Sequence, residues 1–416
     1  MPITPLPQQQ PRHASSVNLL KFTIVFAALS AFAPLATDMY LASFPLLAKS
    51  LHTDIGKVSL GLSIYFFGLS MGQLIYGPLI DRFGRKPPLL IGIALFALSS
   101  GLIVVASSIQ AFLVLRLLQA IGGCAGMVVS RAMISDLLDE REAARFFSLM
   151  MVIAGIGPIV APILGGYLIS FAGWQSIFVF LTLLGGTCLI ATQVMIPETL
   201  PPGNRQHLGP AALFRTFGRL LHRRAFMIPT LIGAIISASI FTFISGAPFV
   251  YMQMYGVSKE HFGWVFGMNA IGIMAAALTN RVLLRRFSTS TLLTTCLTIH
   301  ILFALLLFLF ARTLSLPLLV AFIWLCLAGI PVITANSTAM AMAACGQERG
   351  SGSAIIGVLQ FALASLASAG VGFLHNGTIF PMVGIILACS LLGGLVYIVN
   401  RFLLPKRRSP IKTESP

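Results

Sequence analysis

Long uncharged stretches set the pattern of this chain. Twelve apolar runs, near 20–47, 58–80, 88–107, 110–131, 146–170, 176–196, 226–250, 262–284, 291–311, 317–343, 352–374 and 380–404, are parted by short polar segments. A helix needs about 20 consecutive apolar residues to cross a bilayer core, so each run predicts one membrane-spanning helix. Several runs exceed a single crossing, which predicts tilted or kinked helices. The longest interruption, PETLPPGNRQHLGPAALFRTFGRLLHRRA at 197–225, divides the runs six and six. Its Pro/Gly opening reads as a linker, and residues 211–222 as a short amphipathic surface helix. The predicted organisation is an all-α membrane protein with twelve transmembrane helices in two six-helix halves. A tail over 1–19, a half over 20–196, the linker over 197–225, a second half over 226–404 and a tail over 405–416 make up the chain.

Composition agrees. Of 416 residues, 57% are hydrophobic and 9% charged, against about 25% charged in a soluble domain, too little to coat a water-facing surface. The start, MPITPLPQQQPRHASS, leads into a full-length apolar run with no small-residue cleavage site. That run is therefore expected to act as its own insertion signal, not as a cleaved leader. The cysteines (Cys124, Cys188, Cys296, Cys326, Cys345 and Cys389) lie in or at the ends of apolar runs, without CxxC or CxxH pairs. They read as small apolar fillers, with no disulfide framework and no metal site.

The 27 Lys and Arg against 11 acids raise the question of a nucleic-acid partner. The basic residues are scattered between apolar runs and form no continuous stripe, which excludes it. With the N-terminus inside, 22 of the 27 fall on the inner side; Lys49, Lys57, Lys259 and Arg312 fall outside, and Arg116 lies within a run. This is the positive-inside asymmetry. It predicts cytoplasmic termini and accounts for the net charge of +16 without an anionic partner. Two six-helix halves joined by an inner linker further predict a site at their interface near the midplane.

Charge inside a run is the sharpest chemical signal. Asp38, in LSAFAPLATDMYLASFP, is the acid well inside a run. A carboxylate in hydrocarbon costs several kcal/mol unless paired or protonated, so an acid there can exchange a proton as its surroundings alternate; a permanently paired structural acid is the plainer reading. Arg116, in FLVLRLLQAIGG, is the matching base. Both lie roughly 10–14 Å below the outer ends of runs 1 and 4 at 1.5 Å per residue, so they can meet if those helices are neighbours. The alternative for Arg116 is a structural role on backbone carbonyls. His300, in run 9, is a candidate proton relay, although a lone histidine is more often a packing residue. Asn376-Gly-Thr378 fits a glycosylation sequon, a pattern common by chance.

The loop after run 2, GPLIDRFGRKPPLL, resembles the signature loop of the major facilitator superfamily, G-x-L-x-D-R-x-G-R-K. Gly77, Leu79, Asp81, Arg82, Gly84, Arg85 and Lys86 match it. The glycines let helix ends approach, Asp81 can face a helix N-terminus, and the family pattern nominates Asp136 as the acid that Arg85 reaches. The resemblance implies a latch that closes the cytoplasmic side when the carrier faces outward. Run 5 contains GIGPIVAPILGGYL, where Gly157-Pro158, Ala161-Pro162 and Gly165-Gly166 recur every four residues and stripe one helix face. Small residues permit close packing there, and the stretch resembles the antiporter motif of drug:proton exchangers. TDMYLASFP at 37–45, with Ala42 where proline is usual, is similar to the first-span motif of the bicyclomycin-resistance (Bcr/CflA) group. RLLQA at 116–120 resembles R-x-x-Q-G, with Ala120 for glycine, PETL at 197–200 matches the end of the sixth span, and SGAPFVY at 245–251 resembles the group in the second half.

The resemblance implies the major facilitator fold and proton-coupled efflux of drugs or other small amphipathic molecules across the bacterial inner membrane. Asp38 would be the protonation site, Arg116 its modulator, the proton gradient the driving force, and no cofactor would be needed. Bicyclomycin, sulfonamides and phenicols are substrates it implies. A proton-coupled exporter of a natural metabolite, such as a small amino acid, is the alternative. An enzyme is not expected, since one buried acid supplies no catalytic pair. The partners expected are a small molecule, protons and the lipid bilayer, for a monomer. Substrate-pocket candidates near the midplane are Met39, Tyr65, Gln73, Gln119, Phe241, Asn269, Asn336 and Gln360, each with helix packing as a competing role.

Overall fold

The computed structural model describes residues 16–138, 140–205, 210–346 and 348–403. Most of the tail over 1–19, and the tail over 405–416, lie outside the described residues. Among the described residues, twelve helical segments are long and apolar enough to cross a membrane: Phe22–Ser50, Ile55–Phe83, Lys86–Val104, Ile109–Leu137, Gly155–Ala172, Gln175–Met195, Arg224–Met254, Lys259–Leu283, Thr289–Phe310, Leu316–Ala343, Arg349–Phe373 and Phe380–Arg401. They are numbered below as spans 1 to 12, and each corresponds to one predicted run. The linker helix runs Pro210–His222, within a residue of the predicted one.

Span 1 is not one helix. It is built of Ser16–Ser30, Phe32–Asp38, a 3-10 turn Leu41–Ser43 and Phe44–Ser50. Two prolines explain the breaks. Pro34 has no N–H to offer the carbonyl of Ser30, and Pro45 has none for Leu41. The Thr37 hydroxyl donates to the Ala33 carbonyl at 2.9 Å and the Ser43 hydroxyl to the Tyr40 carbonyl, which satisfies backbone groups around the break. Asp38 is the last residue before it. The segment Leu41–Ser43 packs against spans 5, 7 and 8, so the broken part of span 1 touches both halves.

Spans 2, 3, 4 and 6 pack on one another in the first half, and spans 7, 10, 11 and 12 in the second. The halves meet along two seams, span 2 with span 11 and span 5 with span 8. On the first seam the Ser63 hydroxyl donates to the Ser365 carbonyl at 2.8 Å and Ser70 to the Val358 carbonyl at 3.0 Å. Gly56 and Gly372 bring the backbones together, since a Cβ on either would lie 2.8 Å from the other's carbonyl oxygen. On the second seam the Ser170 hydroxyl donates to Glu260 at 2.9 Å. At the opposite end of span 2, Gly77 faces open space. The halves are thus in close contact at the Gly56–Gly372 end, whereas at the end bearing the basic loops span 2 has open space at Gly77.

Candidate functional site

Arg116 projects from span 4 into the interior of the first half, where its side chain is completely buried (0% exposed). Its guanidinium carbon lies 4.4 Å from the centre of the Tyr40 ring and 4.3 Å from that of Tyr65. Nη1 donates to Gln119 Oε1 at 2.6 Å, and Gln119 Nε2 donates to the Ser100 hydroxyl at 2.8 Å. Nε and Nη2 have no hydrogen-bond acceptor. Two aromatic faces therefore carry much of the charge, because a desolvated cation gains about 2 kcal/mol or more over a ring.

Asp38 is 2% exposed, and its Oδ1 has no hydrogen-bond partner. It and Arg116 are the only buried Asp, Glu, Lys or Arg side chains among the described residues. Both lie inside the same half, and no ion pair forms between them. Packing accounts for this. Tyr40, two residues beyond Asp38 and past the helix break, occupies one face of the guanidinium, with Tyr65 on another. Neither tyrosine was singled out as an Arg116 partner by sequence, although an aromatic two residues after a buried acid was the available signal.

The signature loop forms a charged cluster at the end bearing the basic loops. Arg85 bonds Asp81 Oδ1 through Nη1 at 2.7 Å and Asp136 Oδ2 through Nε at 3.0 Å. Burial opposes the Arg85 charge, but the two carboxylates outweigh it and raise its pKa. Gly84 sits at φ +91°, which an L-residue adopts only with strain. The Lys86 ammonium donates to the Gln193 carbonyl at 2.8 Å, while Arg82 lies over the Phe83 ring on the surface. Glu198, which sequence had matched only as part of PETL, completes the cluster. It accepts the backbone amides of Arg85 at 2.9 Å and Lys86 at 3.1 Å, at the N-terminus of span 3, where a carboxylate is favoured by the helix dipole. Partial burial pushes the Glu198 pKa up, and the amides of Leu200, Arg85, Lys86 and Thr199 overcome that and hold it below the usual range. The Thr199 hydroxyl donates to Asp136 Oδ2 at 2.9 Å. The cluster thus ties spans 2, 3, 4 and 6 together. A Cβ added at Gly77 would meet nothing within 4 Å, so no neighbouring helix packs against that position in this conformation.

The small-residue stretch of span 5 uses two adjoining faces instead of one. A Cβ on Gly157 would meet Pro34 at 3.1 Å, and one on Gly165 would run into the Met39 carbonyl, so these glycines face span 1. Gly166 faces Lys259 of span 8, and Gly263 of span 8 abuts Pro162 and Ile163. Ala161 is buried. Pro158 and Pro162 lie within the helix Glu140–Ala172, adjoining these contacts.

The pocket candidates separate in the same way. Met39, Tyr65 and Gln119 are buried inside the first half. Asn269 donates to the Tyr251 hydroxyl at 3.1 Å and Asn336 to Asn280 at 3.1 Å, both inside the second half. Phe241 is at the junction of the halves, 4.6 Å from Phe66 and 6.0 Å from Phe361 by ring centres. Gln73 lies against Gly357 across the first seam, and Gln360 is half-buried on span 11. His300 is held at both nitrogens, Nδ1 by the Cys326 carbonyl at 2.8 Å and Nε2 by Ser390 at 2.9 Å, as a packing residue is. Among the described residues no group of three His, Cys, Asp or Glu side chains could hold a metal ion.

Comparison with known proteins gives a consistent picture. The family model of the Major Facilitator Superfamily matches residues 26–369. The MFS-type transporter YdgK of Bacillus subtilis is 36% identical over 385 residues, covering 91% of this chain and 94% of that one. A bicyclomycin resistance protein homolog of Haemophilus influenzae is 31% identical over 384 residues, covering 90% and 95%. The multidrug resistance protein MdtL of Klebsiella pneumoniae is 27% identical over 382 residues, covering 92% and 96%. Among solved structures, a bacterial homologue of the human lysosomal transporter Spinster, inward-facing and occupied, superposes with a TM-score of 0.70 at 15% identity, covering 97% and 100%. A D-xylose–proton symporter gives 0.69 at 14%, covering 93% and 98%.

Proposed function

The chain belongs to the major facilitator superfamily and, within it, to the bicyclomycin-resistance (Bcr/CflA) family, and on that premise we propose that it exports drugs or other small amphipathic molecules in exchange for protons. It is a multi-pass membrane protein and a transporter of small molecules, not an enzyme. The observation that carries the proton coupling is the state of Asp38: buried, without an ion-pair partner, and placed at the break in span 1. An ionised carboxylate so placed costs several kcal/mol. The protonated form is therefore favoured while the site is closed, and the ionised form when it opens to water.

In the cycle this implies, Asp38 takes a proton from the periplasm when outward-facing and releases it to the cytoplasm when inward-facing, as substrate binds. Substrate enters where the halves part, toward Phe66, Phe241 and Phe361, whose rings suit an apolar ligand. Arg116, held by Tyr40 and Tyr65, supplies a fixed positive potential near the acid without neutralising it. The Asp81–Arg85–Asp136–Glu198 cluster binds the ends of spans 2, 3, 4 and 6 into one unit that moves with the first half, and the glycines of span 5 let the halves rock in close contact. The direction of the Lys and Arg bias supports cytoplasmic termini in the bacterial inner membrane.

The test is proton release from everted membrane vesicles holding a pH gradient, followed with a pH-sensitive dye as antibiotics and amino acids are added singly. Dissipation by an amphipathic drug, lost in Asp38→Asn with the variant present at wild-type level, supports the proposal. Dissipation by amino acids alone moves the reading to metabolite export. Undiminished exchange in Asp38→Asn removes Asp38 as the proton site.

A further inference from the structure

A second site lies apart from the seam between the halves. The ends of spans 7, 9, 10 and 12 that carry the basic loops, with the end of the linker helix, enclose an open cavity of about 1360 Å³. His222, Arg223, Arg224 and Arg401 stand around it, Ile228 and Met340 give apolar wall, and among the described residues no acidic side chain lines it. The charges are arranged unlike those elsewhere on the same face. Arg85 is neutralised by Asp81 and Asp136, and Arg219 by Glu348 at 2.7 Å. The guanidinium groups of Arg223 and Arg224 have no ion pair among the described residues. The helix Arg224–Pro248 begins at the rim, adding the positive end of its dipole. Orientation in the membrane requires basic residues somewhere on this face. It does not require Arg223 and Arg224 to converge on a cavity without an ion pair among the described residues.

We propose that this cavity binds a phosphate-bearing anion, either the headgroup of an anionic phospholipid or free phosphate. Arginine matches phosphate oxygens with two parallel N–H donors, and adjacent arginines at a helix N-terminus form a ready anion site. The apolar wall suits the glycerol and first methylenes of a lipid, and the open mouth admits a free ion. The walls come from spans 7, 9, 10 and 12 and the end of the linker, away from the seams between the halves, so the proposal stands independently of proton coupling.

Ligand binding to the folded state raises the melting temperature, so the full-length protein in detergent supplies the readout. Phosphatidylglycerol is compared with phosphatidylcholine, and inorganic phosphate with chloride at equal ionic strength. A stabilising shift with phosphatidylglycerol or with phosphate is expected. The double variant Arg223→Gln/Arg224→Gln should weaken it about tenfold or more, as loss of a charge-assisted pair does. Arg285→Gln/Arg286→Gln, an exposed pair on the same face outside the cavity, should leave it unchanged. Ala343→Trp, which places a bulky ring on the cavity wall and keeps both arginines, should weaken it. A shift with phosphatidylglycerol alone assigns the lipid, and one with phosphate assigns the free ion. Equal loss in both arginine pairs, or no shift with either probe, overturns the proposal.

Discussion

The Arg116 guanidinium carbon lies 4.3 Å from the centre of the Tyr65 ring, and the Tyr65 hydroxyl has no hydrogen-bond partner. The ring face, not the hydroxyl, is therefore what Arg116 uses. Tyr65→Phe should melt within about 0.5 kcal/mol of wild type, since no hydrogen bond is lost. Tyr65→Leu removes the cation–π contact and leaves a void, and should destabilise by about 3 kcal/mol or more. Denaturation of both variants in detergent checks this; equal loss would show that the hydroxyl matters.

Asp38 and Arg116 also make a directional prediction. Since no ion pair joins them, Arg116→Gln should shift the pH dependence of transport without removing it, whereas Asp38→Asn should leave transport insensitive to the proton gradient. Drug-driven dye recovery across a pH series distinguishes the two. Identical loss in both variants would mean that they act as one charge pair in the cycle.

Glu198 is depressed in pKa by amides it meets only in the folded chain. Its contribution is fully present above the unfolded value of about 4.3 and is lost as pH falls through the lower folded value. The difference in melting temperature between wild type and Glu198→Gln should therefore be constant from neutral pH to about that value and shrink below it. A difference that grows toward acid would reverse the assigned sign.

The twelve spans and the linker helix were legible because hydrocarbon demands long apolar runs, and a run such as 291–311 has no other stable use. The charged cluster was legible in part: Asp81, Arg85 and Asp136 meet as their motif implied, whereas the amide contacts of Glu198 depend on where span 6 ends beside span 3. Runs apolar on every side do not tell which face meets which neighbour. Hence Asn269 and Asn336 could be placed at membrane depth but not assigned to contacts within the second half. The break in span 1 was written in Pro34 and Pro45, yet prolines also sit inside continuous helices here, as Pro158 and Pro162 do.

Gly77 gives the last prediction. Its Cβ position is empty, while a Cβ on Gly165 would run into the Met39 carbonyl. Gly165→Ala should thus cost about 1–3 kcal/mol by overpacking. Gly77→Ala should be neutral or stabilising by up to about 1 kcal/mol, the ordinary gain of alanine over glycine within a helix. If the cytoplasmic ends close during transport, however, the empty position at Gly77 becomes a contact. The added methyl then favours the present conformation over the closed one, and turnover should fall while the melting temperature holds or rises. Transport rate and melting temperature measured on the same preparation check this. A Gly77→Ala protein that transports at the wild-type rate would mean that span 2 does not close there.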